Sequence, residues 1–291
     1  MNIAITGFTG FIGSALCEYL KQFHTIVEVD LHRNGLDKYS FSGIDCVIHL
    51  AAIAHTRGIS DDQYFKVNRD LAFATAQKAK KESVPHFIFM STTKVYGDSS
   101  INDFIFHEES PCNPTDAYGI SKLEAERLIV DLSDSSFCVS ILRSPLVYGP
   151  GVKANMYNLI RFVDNFPILP MSGINNKRSL IFIENLTEFI KVVMEKKITG
   201  ILIPSDLRPF STSDIVFSIS KSFNCRKIIV RFPRVFKFVL KTLLPYYYAR
   251  IFGSFIVDSS VSLNRLNFSV PFSSDYGINK TVKWYLENKN Q

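Results

Sequence analysis

Long apolar runs are missing from these 291 residues. No segment approaches the about 18 uninterrupted apolar positions of a helical membrane span, and none is expected. Paired cysteines are missing too. Cys17, Cys46, Cys112, Cys138 and Cys225 are odd in number and never form CxxC; four lie in or beside apolar runs, as small core residues of a reducing compartment do, which suits a cytoplasmic protein. The six histidines show no HExxH spacing, so no metal site is expected. Lysine and arginine are read as scattered rather than gathered in one stripe, which argues against nucleic acid as a partner. The net charge of +6 and pI near 9.0 suit an anionic small ligand such as a phosphate ester. "MNIAITGF" reads as a strand, not as a basic leader followed by an apolar stretch. Internal repeats and low-complexity tracts are absent.

The chain is 46% hydrophobic and 21% charged, a composition suited to a folded unit with a sizeable core. Its first half alternates apolar strand runs with amphipathic stretches: strands at Ile3–Thr6, "TIVEVD", "DCVIHLAA", "HFIFMS" and "CVSILRS", helices through "SALCEYLKQF", "NRDLAFATAQKAKKES" and "AYGISKLEAERLIVDLS". Such alternation implies βαβ units and a parallel sheet. After "VYGPG" the rhythm becomes irregular, and "GILIPS" returns a strand to the sheet. The division expected is 1–149 plus 176–204 for a nucleotide-binding core, and 150–175 plus 205–291 for a smaller substrate-binding lobe. "VFKFVLKTLLPYYYARIFG" at 235–253 is read as a lid or core helix interrupted at Pro245, with a membrane-surface helix as the competing reading.

"TGFTGFIGS" sets Gly7, Gly10 and Gly13 between a strand and a helix. Glycines there let a pyrophosphate rest on the amides of a helix N-terminus. Asp30 ends the second strand 17 residues past Gly13, near the about 20 expected of a ribose-binding carboxylate. That favours NAD, and Arg33 keeps NADP open. In "TDAYGISK", Tyr118 and Lys122 stand four apart on one helical face. Beside a cationic nicotinamide, the ammonium would acidify the phenol into an acid/base usable near neutral pH. Ser91, Thr92 and Thr93 in "FMSTTKVYG" leave a strand at its C-terminal end, where open α/β sheets bind ligands.

With "VIHLAA", "VN" at 67–68, "LRSPLVYGPG" and "RSLIFIENL", these stretches make the chain resemble the extended short-chain dehydrogenase/reductases of the nucleotide-sugar epimerase/dehydratase family over nearly its whole length. The resemblance implies an α/β fold, a Rossmann-type doubly wound parallel sheet with a smaller C-terminal substrate-binding lobe. It gives Thr92, Tyr118 and Lys122 the catalytic roles, Lys122 also holding the nicotinamide ribose. Gly7, Gly10, Phe11, Ile12, Gly13, Asp30, Leu50, Ala51, Ala52 and Asn68, with Tyr118 and Lys122, would touch the cofactor. Thr92, Thr93, Asn155, Arg178 and Arg250 would touch a UDP-sugar, and a homodimer is the family's default.

Departures narrow the reaction. Dehydratases of this family carry Asp-Glu after the catalytic threonine, whereas this chain has Thr93 and Lys94, so dehydration is rejected. Leu146 stands where classical UDP-galactose 4-epimerases place a phosphate-binding asparagine. The finer resemblance, through "STTKVYG", "LRSPLVYGPGVKAN", "NKRSL" and "GSFIVDSS", is to bacterial reductases of UDP-4-keto-6-deoxy-N-acetylhexosamines used for surface polysaccharides. The leading expectation is therefore 4-keto reduction. The alternative is a UDP-glucose or UDP-N-acetylglucosamine 4-epimerase, and a non-catalytic dinucleotide-binding protein stands third.

Overall fold

The computed structural model describes residues 1–54, 58–98, 104–223 and 227–289; Cys225, one of the five cysteines counted above, lies outside the described residues. Strands β1 (Asn2–Thr6), β2 (Thr25–Val29), β3 (Cys46–His49) and β4 (His86–Thr92) lie in one sheet with strands Cys138–Ser144 and Gly200–Leu202. From one edge the order is Gly200–Leu202, Cys138–Ser144, β4, β3, β1, β2, and every pairing is parallel. β3 and β4 are buried along their whole length. Apolar runs without alternation are what a parallel sheet covered on both faces requires. One large cluster built around Leu16, Leu142, Phe182 and Phe189 packs on one side, and a second around Val47, Phe87, Ala125 and Ile141 packs on the other. "GILIPS" does return a strand, whose Ile201 pairs with Ile141.

The strand order reverses at β1. Its successor β2 lies on one flank and β3 on the other, which leaves a crevice beyond the C-terminal ends of β1 and β3. Thr6 and His49 are register partners there. Thr92 and Ser144 close the neighbouring pair.

Two local features depart from the simple sequence pattern. The stretch read as the helix "NRDLAFATAQKAKKES" starts as a π-helical segment, Phe65–Leu71, and becomes α-helical only over Ala72–Lys81. The widened turn carries Asn68 into the interior, where it is fully buried. Over 235–253 the break falls where expected, helix Arg234–Leu243 ending before Pro245 and Pro245–Phe252 following. The core-helix part of that reading does not hold, because Arg234–Leu243 buries none of its residues.

A buried carboxylate ties the later chain to the sheet layer. Asp206 accepts from the Tyr148 hydroxyl at 2.8 Å, the Asn185 amide at 2.8 Å, the Phe182 amide at 3.2 Å and the Ser274 hydroxyl at 3.2 Å. Burial pushes its pKa up, and these four donors resist that shift. Removing the acceptor leaves the Tyr148 phenol only its 3.3 Å bond to the Ser274 carbonyl and strands the buried Phe182 amide and one Asn185 N–H, each costing roughly 1–3 kcal/mol. Asp206→Ala is therefore expected to lower stability by roughly 3–5 kcal/mol, and Asp206→Asn, which keeps one acceptor oxygen, by less. Denaturant midpoints check both.

Candidate active site

The glycine turn forms the floor of the crevice. Gly7 has φ +69°, and a Cβ on it would lie 2.6 Å from the Ala51 nitrogen; one on Gly13 would lie 2.2 Å from the Gly7 carbonyl oxygen. Both glycines are demanded by the fold itself. Gly10 is different. It caps helix Phe11–Leu20 with an ordinary φ of −74°, is exposed, and a Cβ there would meet only the Gly7 oxygen, at 3.2 Å. A bare backbone that the chain does not itself require, at a helix N-terminus, fits the pyrophosphate of a dinucleotide.

Phe11 and Ile12 open the helix half-buried, and Leu50, Ala51 and Ala52 follow β3 along the opposite wall. The Thr6 hydroxyl accepts from the Ala51 amide at 3.2 Å and contacts His49 Nδ1 at 3.1 Å, fixing that wall. His49 is buried, and burial pulls its pKa down to about 3, so it is neutral. Asp30 directly follows β2 and caps the short helix Leu31–Asn34, its Oδ1 accepting from the Arg33 amide at 3.0 Å, and the Arg33 side chain lies 3.6 Å from its Oδ2. Both residues weighed for NAD against NADP thus stand at one spot, paired with each other. Asn68 reaches the site through the backbone of this wall: its Oδ1 accepts from Ile53 N at 2.8 Å and its Nδ2 donates to Ile53 O at 3.0 Å and to Ser121 Oγ at 3.3 Å. Those bonds clamp the segment after β3 to the helix that bears Tyr118.

That helix, Ala117–Val130, is capped by Asp116, whose Oδ1 accepts from the Gly119 amide at 2.7 Å. Strand alternation sorts the three hydroxyls at the end of β4. Ser91 turns down and donates to buried Glu126, whereas Thr92 hydrogen-bonds Tyr118. Thr93 is buried at the start of the 3₁₀ turn Thr93–Tyr96. Lys94 pairs with Asp98 at 2.6 Å and with Asp116 at 3.4 Å, so it fastens this turn to the helix cap.

Lys122 is 2% exposed. Its ammonium donates to the Met90 carbonyl at 2.8 Å and lies 4.5 Å from the centre of the Phe89 ring. Burial pulls its pKa down to about 7, and Glu126 opposes that. Tyr118 is likewise pushed up by burial, to about 12; the Thr92 hydrogen bond lowers it, while Asp116 and Tyr64 raise it. The acidification by Lys122 expected from the sequence is therefore not what the protein's own groups produce, because desolvation of the phenolate outweighs the help it receives.

Beneath the triad lies an ion pair that sequence reading missed. Arg143 Nη2 donates to Glu126 at 2.7 Å, both side chains nearly inaccessible, and its Nη1 donates to the Tyr96 hydroxyl at 3.1 Å. A signal existed: Tyr118, Lys122 and Glu126 follow at i, i+4 and i+8 on one helical face. The structure also brings together Asn155, Arg178 and Arg250. Arg250 donates to Asn155 Oδ1 at 3.2 Å, and Arg178 donates to the Ala249 carbonyl at 2.8 Å. Burial and the charge of Arg250 both lower the Arg178 pKa, and Arg178 Nε is buried with no hydrogen-bond partner. Two guanidiniums held close, with a donor to spare, suit an anionic diphosphate. Leu146 is exposed and supplies no polar atom here.

Comparison with known proteins identifies the family and the fold. The model of the family described as "NAD dependent epimerase/dehydratase family" matches residues 3–201. A UDP-glucose 4-epimerase of Vibrio cholerae is 29% identical, the match covering 100% of this chain and 97% of that protein. An N-acetyl-alpha-D-glucosaminyl-diphospho-ditrans,octacis-undecaprenol 4-epimerase of Escherichia coli O157:H7 is 24% identical over 77% of this chain and 72% of its own. Among solved structures, the UDP-glucuronic acid 4-epimerase of Bacillus cereus in complex with NAD superposes with a TM-score of 0.78 at 22% identity, covering 99% of each chain, a likeness of fold.

The different demands on Gly10 and Gly13 are separable by experiment. Gly10→Ala is expected to fold with a modestly lowered melting temperature but to bind NAD at least tenfold more weakly, whereas Gly13→Ala should unfold or melt far lower; calorimetric titration and thermal melts read the two. Lys122 gives a second test. Its folded pKa of about 7 lies below the about 10.4 of an unfolded lysine, so between these values the unfolded chain binds more protons and stability rises with pH. From pH 7 to 9 this one group should add roughly 2 kcal/mol, and below about pH 7 its full penalty stands. Denaturant unfolding of the wild type and of Lys122→Met across that range should show the slope flattened in the variant.

Proposed function

Because the chain belongs to the NAD dependent epimerase/dehydratase family, we propose that it is an NAD-using enzyme that oxidises and reduces a UDP-sugar at C4, working as a 4-epimerase. The observation that carries this is the meeting of Thr92, Tyr118 and Lys122 at the C-terminal end of β4, across the crevice from the glycine turn. The whole-length similarity to a UDP-glucose 4-epimerase weights the reading toward epimerisation and away from the 4-keto reduction that the finer sequence details favour.

Bound NAD would supply the hydride acceptor and a positive charge beside Tyr118, with Gly7, Gly10 and Gly13 under its pyrophosphate and Asp30 at a ribose. Thr92 holds the sugar O4 through the hydroxyl that now bonds Tyr118. Tyr118 takes the O4 proton as the hydride leaves C4, and returns it when the hydride comes back to the other face. Its high pKa in the protein's own field is what the charge of bound nicotinamide would lower, since a cation stabilises the phenolate. Lys122, poised near neutrality and anchored on Met90, holds the nicotinamide ribose and adds to that charge. Arg178, Arg250 and Asn155 grip the diphosphate, so the sugar turns while its anchor stays fixed. Lys94 is bound up with Asp98 and Asp116 and offers no acid for expelling a hydroxyl, which supports the rejection of dehydration.

A sugar diphosphate carried on a lipid, the substrate type in the name of the Escherichia coli relative, would meet the same grip. The exposed apolar helix beside Arg250 makes it the second substrate to assay. The division of labour between residues 1–149 with 176–204 and residues 150–175 with 205–291, a homodimer and a cytoplasmic location belong to the same proposal.

The purified protein is expected to interconvert UDP-glucose and UDP-galactose, or their N-acetylhexosamine counterparts, without added cofactor, and to release NAD on denaturation. Tyr118→Phe should keep NAD and lose about 10²–10⁴-fold in kcat. Turnover of a UDP-4-keto-6-deoxy sugar with stoichiometric NADH consumption, and no epimerisation, would replace this reading with the reductase.

A further inference from the structure

Helix Arg234–Leu243 presents its apolar side to the outside. Val235 is 73% exposed, Phe236 64% and Leu243 72%, Leu244 at the proline break and Tyr247 beyond it continue the patch, and Phe238, 68% exposed, adds a further apolar ring on the other side. At roughly 100° per residue, Val235, Phe236, Val239, Leu240 and Leu243 share one side, while Arg234, Lys237 and Lys241 gather on the opposite one. An exposed apolar patch of this extent is uncommon on a protein that needs no partner.

The charge around it has one sign. Residues 215–257 contain no aspartate or glutamate and eight lysines and arginines, a charge of +8 that leaves −2 for the rest of the +6 chain. The basic residues are thus gathered, contrary to the scatter read from the sequence. This juxtaposition narrows the occupant. A second copy docking on the apolar side would cover the phenylalanine and leucines and leave the eight cations unanswered. Nucleic acid would satisfy the cations and leave the phenylalanines in water. An anionic bilayer meets both needs, with lysine and arginine at the headgroup phosphates and the apolar side at the acyl boundary. Among the described residues no helix is long and apolar enough to cross a membrane, so the contact is one of surface.

We propose that Arg234–Phe252 docks this protein on the surface of an anionic phospholipid bilayer. The element is joined to the diphosphate grip, since Ala249 receives the Arg178 hydrogen bond and Arg250 reaches Asn155. Docking therefore places the mouth of that grip at the lipid surface. The inference stands on the helix and its charge, whichever sugar is turned over.

Sedimentation of the full chain with vesicles tests it, comparing phosphatidylcholine alone with an equal mixture of phosphatidylcholine and phosphatidylglycerol. At low salt the bound-to-free ratio should be at least about tenfold higher on the mixed vesicles and should fall as salt is added. Phe236→Ser/Leu243→Ser should abolish binding, and Arg234→Glu/Lys241→Glu should abolish the preference for anionic lipid, with circular dichroism and activity on soluble UDP-sugar unchanged in both. The proposal is overturned if the wild type stays in the supernatant with mixed vesicles, or if the double-serine variant binds as well as wild type. It is equally overturned if the face proves to join copies of the chain, seen as a wild-type oligomer that the double-serine change dissolves without vesicle binding. Because vesicle binding is read without turnover, failure here is distinct from failure of the epimerase assay.

Discussion

A buried ammonium dominates this molecule. Lys122 has almost no access to solvent, and a charge there is tolerable only because the Met90 carbonyl accepts from it, the Phe89 ring faces it and Glu126 lies one helical turn on. Glu126 is in turn held by Arg143, so the cluster keeps one net positive charge in a low-dielectric interior. Removing either partner of such a pair leaves an uncompensated buried charge. The position of β4, the pitch of helix Ala117–Val130 and the end of strand Cys138–Ser144, where Arg143 stands, all serve this arrangement, and the tyrosine–threonine pair sits on top of it.

The two halves of the site are electrostatically unfinished in complementary ways. At one end, burial holds the Tyr118 proton tightly and loosens that of Lys122. At the other, two guanidiniums face each other with a donor to spare. In the proposed function, an oxidised nicotinamide would bring positive charge to the first, and a diphosphate negative charge to the second. Preorganised groups that cost the fold something are recovered when the ligand arrives, which is how fixed dipoles and charges act in catalysis. The carboxylate node at Asp206 and the clamp at Asn68 serve rigidity instead, holding these parts in register.

Much of this was legible in the residues. The order of strands and helices, the glycine turn, Asp30 at the end of β2 and the Tyr118–Lys122 spacing are local patterns, and local patterns survive folding. The π-helical segment before Ala72 was not legible, because it depends on Asn68 finding the Ile53 backbone across the sheet. Nor was the outward face of Arg234–Leu243: an apolar, aromatic helix reads the same whether its phenylalanines meet a core or water. The gathering of positive charge over 215–257 is present in the sequence but forms no block, because apart from Arg226–Lys227 the cations are separated by other residues.

Sequence alone determined the fold class, the family motifs and the placing of Tyr118 and Lys122 on one helical face, since each rests on spacing along one strand, turn or helix. The tertiary structure decided what those groups experience. Burial set the proton affinities of Tyr118 and Lys122, strand alternation assigned Ser91 to Glu126 and Thr92 to Tyr118, and chain crossing brought Arg178 beside Arg250. Desolvation and long-range proximity belong to the folded chain, and no stretch of residues carries them by itself.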